Sequence, residues 1–92
     1  MNSTLVVEDL PDIRAWLVDT VRLAFPHTEV VAVGRCRDGI GEAAMRRFEL
    51  ALIDLELPDG NGVSVIQALR SHQPHAVSVV VTIHDDDEHL FP

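Results

Sequence analysis

Carboxylates at the ends of apolar runs are the residues best equipped for chemistry in this 92-residue chain. Glu8 and Asp9 close the run Thr4–Val7, and Asp54 closes the run Leu50–Ile53. Thr82 and His84 follow the Val-rich run that begins at Val77. Three carboxylates at one place repel one another unless a cation sits among them, and oxygen-only donors favour a hard ion such as Mg2+ over zinc. Solvation of a strand end or capping of a following helix accounts for Glu8 and Asp9 taken alone. Asp54 has no helix directly after it to cap. Instead the turn formers Leu57-Pro58-Asp59-Gly60-Asn61-Gly62 follow, and a turn of that kind can hold a site open.

The elements that must position these residues alternate along the chain. Short β-branched runs begin near Ser3, Glu29, Leu50 and Ala76, about every 21–26 residues, which is what one strand, one helix and two short loops occupy. Between the first two runs, Pro11 suits a first helical turn, Asp12 complements its dipole, and Ile13, Leu17, Val21 and Ala24 recur at helical spacing until Pro26. A second, shorter helix is expected over Asp38–Phe48, with Ile40, Ala43, Ala44 and Phe48 on one side. A third is expected from Val63 through Leu69 toward Ser71. Val77–Ile83 reads as the fourth and most apolar strand. Alternating strands and helices imply a parallel sheet, and in such sheets ligands sit beyond the carboxyl ends of the strands. Glu8 with Asp9, Asp54, and Thr82 with His84 should therefore converge on one rim. Trp16 and Phe25 read as helix and core packing, and the run Asp85–Glu88 as the acidic first turn of a further helix. The other histidines, His27, His72, His75 and His89, show no metal spacing with one another.

Composition narrows the function classes. Apolar residues make up 47% of the chain and aromatic ones 4%, a usage that suits buried parallel strands covered by helices. The net charge of −8 opposes binding to DNA backbone or an anionic membrane, both of which need clustered cations. A lone cysteine, Cys36, cannot form an internal disulfide and reads as a small buried thiol. No cationic segment precedes the first apolar run, and no run approaches the ~20 residues of a membrane span. A single domain in the cytoplasm is the resulting expectation.

With Glu8-Asp9 after a strand, Asp54 before Leu-Glu-Leu-Pro-Asp-Gly-Asn-Gly, and Thr82 closing a Val-rich strand, the chain resembles a response-regulator receiver domain from Ser3 to about Glu88. The resemblance implies a flavodoxin-like doubly wound parallel sheet of strand order 2-1-3-4, accepting a phosphoryl group on Asp54 from a sensor histidine kinase. It implies Mg2+ (or Mn2+) held directly by Asp9, Asp54 and the main-chain carbonyl of Glu56, with Glu8 acting mainly through water. Thr82 would bond the phosphoryl group, and the Glu56 side chain and His84 would modulate its hydrolysis. Such a domain is no enzyme beyond its own phosphorylation and dephosphorylation. Receivers commonly precede a DNA-binding output domain.

The chain departs from that pattern in two ways. The family places a lysine at the end of a fifth strand, but all seven basic residues here are Arg. The fifth strand and last helix are also missing before Pro92, so residues 1–92 read as a C-terminally truncated receiver. The fourth-strand edge, and a sheet face including the first and fourth strands, should then be uncovered and drive self-association. Two rivals remain. One is an interaction module that binds a partner without switching. The other is an aspartate-nucleophile phosphohydrolase, whose Asp-x-Asp pattern Asp54-Leu55-Glu56 does not match.

Overall fold

The computed structural model describes residues 1–82. In chain order the elements are β1 (Ser3–Val7), α1 (Pro11–Ala24), β2 (Glu29–Val33), α2 (Cys36–Met45), β3 (Leu50–Ile53), a short hairpin of β4 (Glu56–Leu57) and β5 (Gly60–Asn61), α3 (Val63–His72) and β6 (Val77–Val80). Four strands form one parallel sheet in the order β2-β1-β3-β6. That is the expected order 2-1-3-4, with β6 as its fourth strand.

Burial explains why these runs are strands. β1 lies between β2 and β3, and Leu5, Val6 and Val7 are completely buried, so both faces of its backbone demand apolar side chains. One face packs on α2 and α3: Leu5, Val7, Ala51 and Ile53 share a core with Ala43, Phe48, Val65 and Leu69. Gly39 permits this closeness, since a Cβ there would lie 3.1 Å from methyl groups of Val7 and Val65. Alternation turns Thr4 and Val6 to the other face, against α1 and its buried Leu17 and Val21. The buried Thr4 hydroxyl is satisfied by the Thr28 hydroxyl at 2.9 Å.

Four expectations need correction. The second helix starts at Cys36 and ends at Met45, and its inward side is Cys36, Gly39 and Ala43. Ile40 and Ala44 are exposed, and Phe48 enters the core from the loop beyond. Trp16 is 59% exposed, because its neighbour Leu17 takes the inward stripe with Val21, about 100° round the helix. The fourth strand is shorter than Val77–Ile83: it ends at Val80, and Ile83 lies outside the described residues. The first strand is not uncovered, since β2, β3, α1 and the α2–α3 layer enclose it; exposure falls instead on Val77, Val79 and Val80 of β6.

Candidate functional site

Parallel register delivers the acids to one rim. Val7 pairs with Ile53 at the carboxyl ends of β1 and β3. The ladder continues one step further, Asp54 donating its N–H to Val7 O (2.9 Å) and Glu8 donating to Val33 O (3.0 Å). Glu8 and Asp54 therefore leave adjacent strands side by side. One carboxylate oxygen from each of Glu8, Asp9 and Asp54 lies within 4.8 Å of the others, a grouping that could hold a shared cation.

Their environments differ. Glu8 is buried, while Asp9 and Asp54 are half-buried and open to solvent. Burial pushes the Glu8 carboxyl up to about 7; a hydrogen bond with Asp54 and the charges of Asp54 and Asp9 act in the same direction, and the Leu10 N–H opposes them. That Leu10 N–H reaches Glu8 Oε1 at 3.1 Å. Arg14, one turn into α1, donates through Nη1 to the main-chain oxygens of Glu8 (3.1 Å) and Asp9 (3.4 Å), and so fixes the β1–α1 connection from behind. Asp54 Oδ1 accepts the N–H of Glu56 at 3.1 Å, which holds the carboxylate over its own loop.

The remaining sequence candidates are placed unequally. Val81 N–H donates to Ile53 O (2.9 Å), so the chain at Thr82 leaves the sheet at the rim that carries Asp54, with Thr82 exposed. The Glu56 side chain is exposed at the start of β4. His84 and the Asp85–Glu88 run lie outside the described residues.

Two residues bear on the site that sequence reasoning treated only as turn formers. At Gly62 any Cβ would collide with the main-chain oxygen of Asp54, so the return of the hairpin fits only glycine. Asp59, at the hairpin tip, accepts the N–H groups of Cys36 (2.7 Å) and Arg37 (3.0 Å) at the start of α2. The Asp-Gly pair signalled a turn, but nothing in sequence pointed to a helix more than twenty residues upstream. The thiol of Cys36 is buried as expected and donates to Asn61 O at 3.1 Å.

A cavity of about 750 Å3 opens at the opposite rim, among Ser3, Phe48, His72, Gln73 and Val77, at the amino ends of β1, β3 and β6. It contains none of the three clustered acids, and the shallow acidic rim is the better candidate for ion chemistry. Among the described residues no helix is long and apolar enough to cross a membrane.

Known proteins resemble this chain in sequence and in fold. The chain is 30% identical over 89 residues to the DNA-binding transcriptional activator DevR/DosR of Mycobacterium tuberculosis, covering 96% of this chain and 41% of that protein. It is 38% identical over 81 residues to the KDP operon transcriptional regulatory protein KdpE of Escherichia coli, covering 88% of this chain and 34% of that one. The chain thus spans less than half the length of these relatives. Among solved structures it resembles a chain in the complex of histidine kinase ThkA with response regulator protein TrrA, with a TM-score of 0.77 and 22% identity, covering 94% of this chain and 72% of that one. The family model described as the response regulator receiver domain matches residues 4–91, and this chain belongs to that family of two-component signalling domains.

Proposed function

We propose that this receiver domain accepts a phosphoryl group on Asp54 from a sensor histidine kinase, with Mg2+ or Mn2+ held among Glu8, Asp9 and Asp54. The observation that carries this reading is the three-carboxylate cluster at the carboxyl ends of β1 and β3. The Glu8 carboxyl is pushed up to about 7 by burial first and then by the Asp54 and Asp9 carboxylates that face it, as befits a site short of positive charge. An all-oxygen donor set suits a hard divalent ion, which when bound would offset the charge of the incoming phosphoryl group.

The chain's own residues do the rest. Glu56 N–H orients Asp54 so that its free oxygen can attack phosphorus in line; the new P–O bond forms as the P–N bond of a phosphohistidine donor breaks, and the imidazole leaves. The main-chain carbonyl of Glu56 would help Asp9 and Asp54 to hold the cation, with Glu8 acting mainly through water. Thr82, leaving the sheet at the same rim, donates its hydroxyl to a phosphoryl oxygen, which couples occupancy of Asp54 to the segment after β6. The Glu56 side chain and His84 modulate hydrolysis of the acyl phosphate. A kinase partner accords with the resemblance to the kinase-bound structure, and a transcriptional output accords with the names of the two relatives.

The alternative reading is an interaction module that binds its partner without switching. Intact-mass measurement after incubation with Mg2+ and a small phosphodonor separates the two. One added phosphoryl group is expected on the wild type and none on Asp54→Asn or in EDTA. Mg2+ binding without uptake would favour the interaction module, and equal uptake by Asp54→Asn would remove Asp54 from the reaction.

A further inference from the structure

We infer that Asp59 is a positioning residue for the acceptor loop: its carboxylate clasps the hairpin after Asp54 to the first turn of α2 and so sets where Asp54 stands relative to Glu8 and Asp9. The inference rests on Asp54 being the acceptor.

A helix leaves its first N–H groups without intrahelical partners, and α2 has no cap of its own, since the side chain of Arg35 at its N-cap makes no such bond. The missing acceptor comes from the far side of the site, with Asp59 Oδ1 on Cys36 N–H (2.7 Å) and Oδ2 on Arg37 N–H (3.0 Å). A third bond runs alongside, from Cys36 Sγ to Asn61 O (3.1 Å). Asp59 is thus tied by both oxygens, and the hairpin tip cannot swing without breaking a two-point, charge-assisted contact.

The base of the same hairpin holds the acceptor. Gly62 N–H donates to Leu55 O (2.9 Å), a Cβ at Gly62 would collide with the Asp54 main-chain oxygen, and Glu56 N–H holds Asp54 Oδ1 (3.1 Å). The ring closes through the sheet. β2, which leads into α2, ends beside β1, where Val33 O receives Glu8 N–H (3.0 Å), and β1 ends beside β3, where Val7 O receives Asp54 N–H (2.9 Å). Between α2 and the hairpin the ring closes through two side chains, the Asp59 carboxylate with two bonds and the Cys36 thiol with one. Removing the Asp59 carboxylate takes away the two-point, charge-assisted link and leaves only the weaker thiol bond.

The test compares wild type, Asp59→Ala, Asp59→Asn and, as a structural control, Gln73→Ala. Gln73 latches the opposite rim, where it accepts Phe48 N–H (2.7 Å) and donates to Ala43 O (2.9 Å) and Arg46 O (2.7 Å). Phosphorylation by a small donor is measured at saturating Mg2+ and well below every thermal midpoint. Asp59→Ala should be slower by about ten-fold or more, as small misplacements of reacting groups are. Asp59→Asn, which keeps one acceptor oxygen, should recover part of the rate, and Gln73→Ala should match wild type despite its lower thermal midpoint. Amide exchange gives an arm independent of phosphorylation: Asp59→Ala should speed exchange at Glu56 and Gly62, and Gln73→Ala should not. If no variant, wild type included, takes up phosphate, the acceptor reading fails, and the exchange rates alone decide whether Asp59 holds the loop. Unchanged Glu56 and Gly62 exchange, or an Asp59→Ala rate equal to that of wild type, overturns the inference.

Discussion

Glu8 and Asp54 are both acids at strand ends, yet burial gives them different parts. Glu8, enclosed and facing two other carboxylates, is the group whose charge most needs a cation, whereas the half-buried Asp54 can meet a donor from solvent. Replacing Glu8 with Gln keeps an acceptor for Leu10 N–H but removes one negative charge. Mg2+ affinity measured calorimetrically should fall about ten-fold or more, in the range found when groups around a metal site are altered. Asp59 adds a pH signature. Hydrogen bonds, that from Arg37 N–H first, hold its carboxyl below the ordinary 3.8. Because the folded value is depressed, its contribution to stability is present above pH 3.8 and is lost as pH falls through the folded value. The gap in thermal midpoint between wild type and Asp59→Asn should stay constant from pH 7 to 4 and close in stronger acid. The acids themselves were legible because each interrupts an apolar run. Asp59 was not, because its partners Cys36 and Arg37 are close only after the chain has folded.

Gly62 belongs to the scale of elements. With α3 starting at Val63 and β3 ending at Ile53, the hairpin must return within a few residues, and its last one passes against the Asp54 backbone. Gly62→Ala should cost about 1–3 kcal/mol in denaturant unfolding, the usual penalty for overpacking, and should slow phosphorylation of the molecules that remain folded. Alternation of strand and helix and the shared rim were readable from hydrophobic period and turn residues, whereas the strand order came with the family resemblance. The second helix was misplaced by two to three residues for an identifiable reason. Its cap lies in another element, and its inward stripe uses Gly39, which carries no hydrophobic signal, in place of Ile40. Trp16 misled in the opposite way: a large aromatic suggests core, but the helical stripe passes through Leu17.

For the molecule as a whole, the sheet has a well-covered centre and an open side. Among the described residues β6 pairs only with β3, carries no charge or proline, and exposes Val77, Val79 and Val80. Such an edge is a template for another strand. Sedimentation of the 92-residue chain should show reversible, concentration-dependent association that Val79→Lys reduces; a monomer at every micromolar concentration would contradict this. The account stands on Asp54 as the site where phosphate lands, and the most direct measurement is to trap it there. Treating the chain with a small phosphodonor and Mg2+, reducing the acyl phosphate with borohydride and sequencing the peptides should yield homoserine at position 54. Homoserine at another position, or unmodified Asp54 under conditions where Mg2+ binding is demonstrated, would contradict the account.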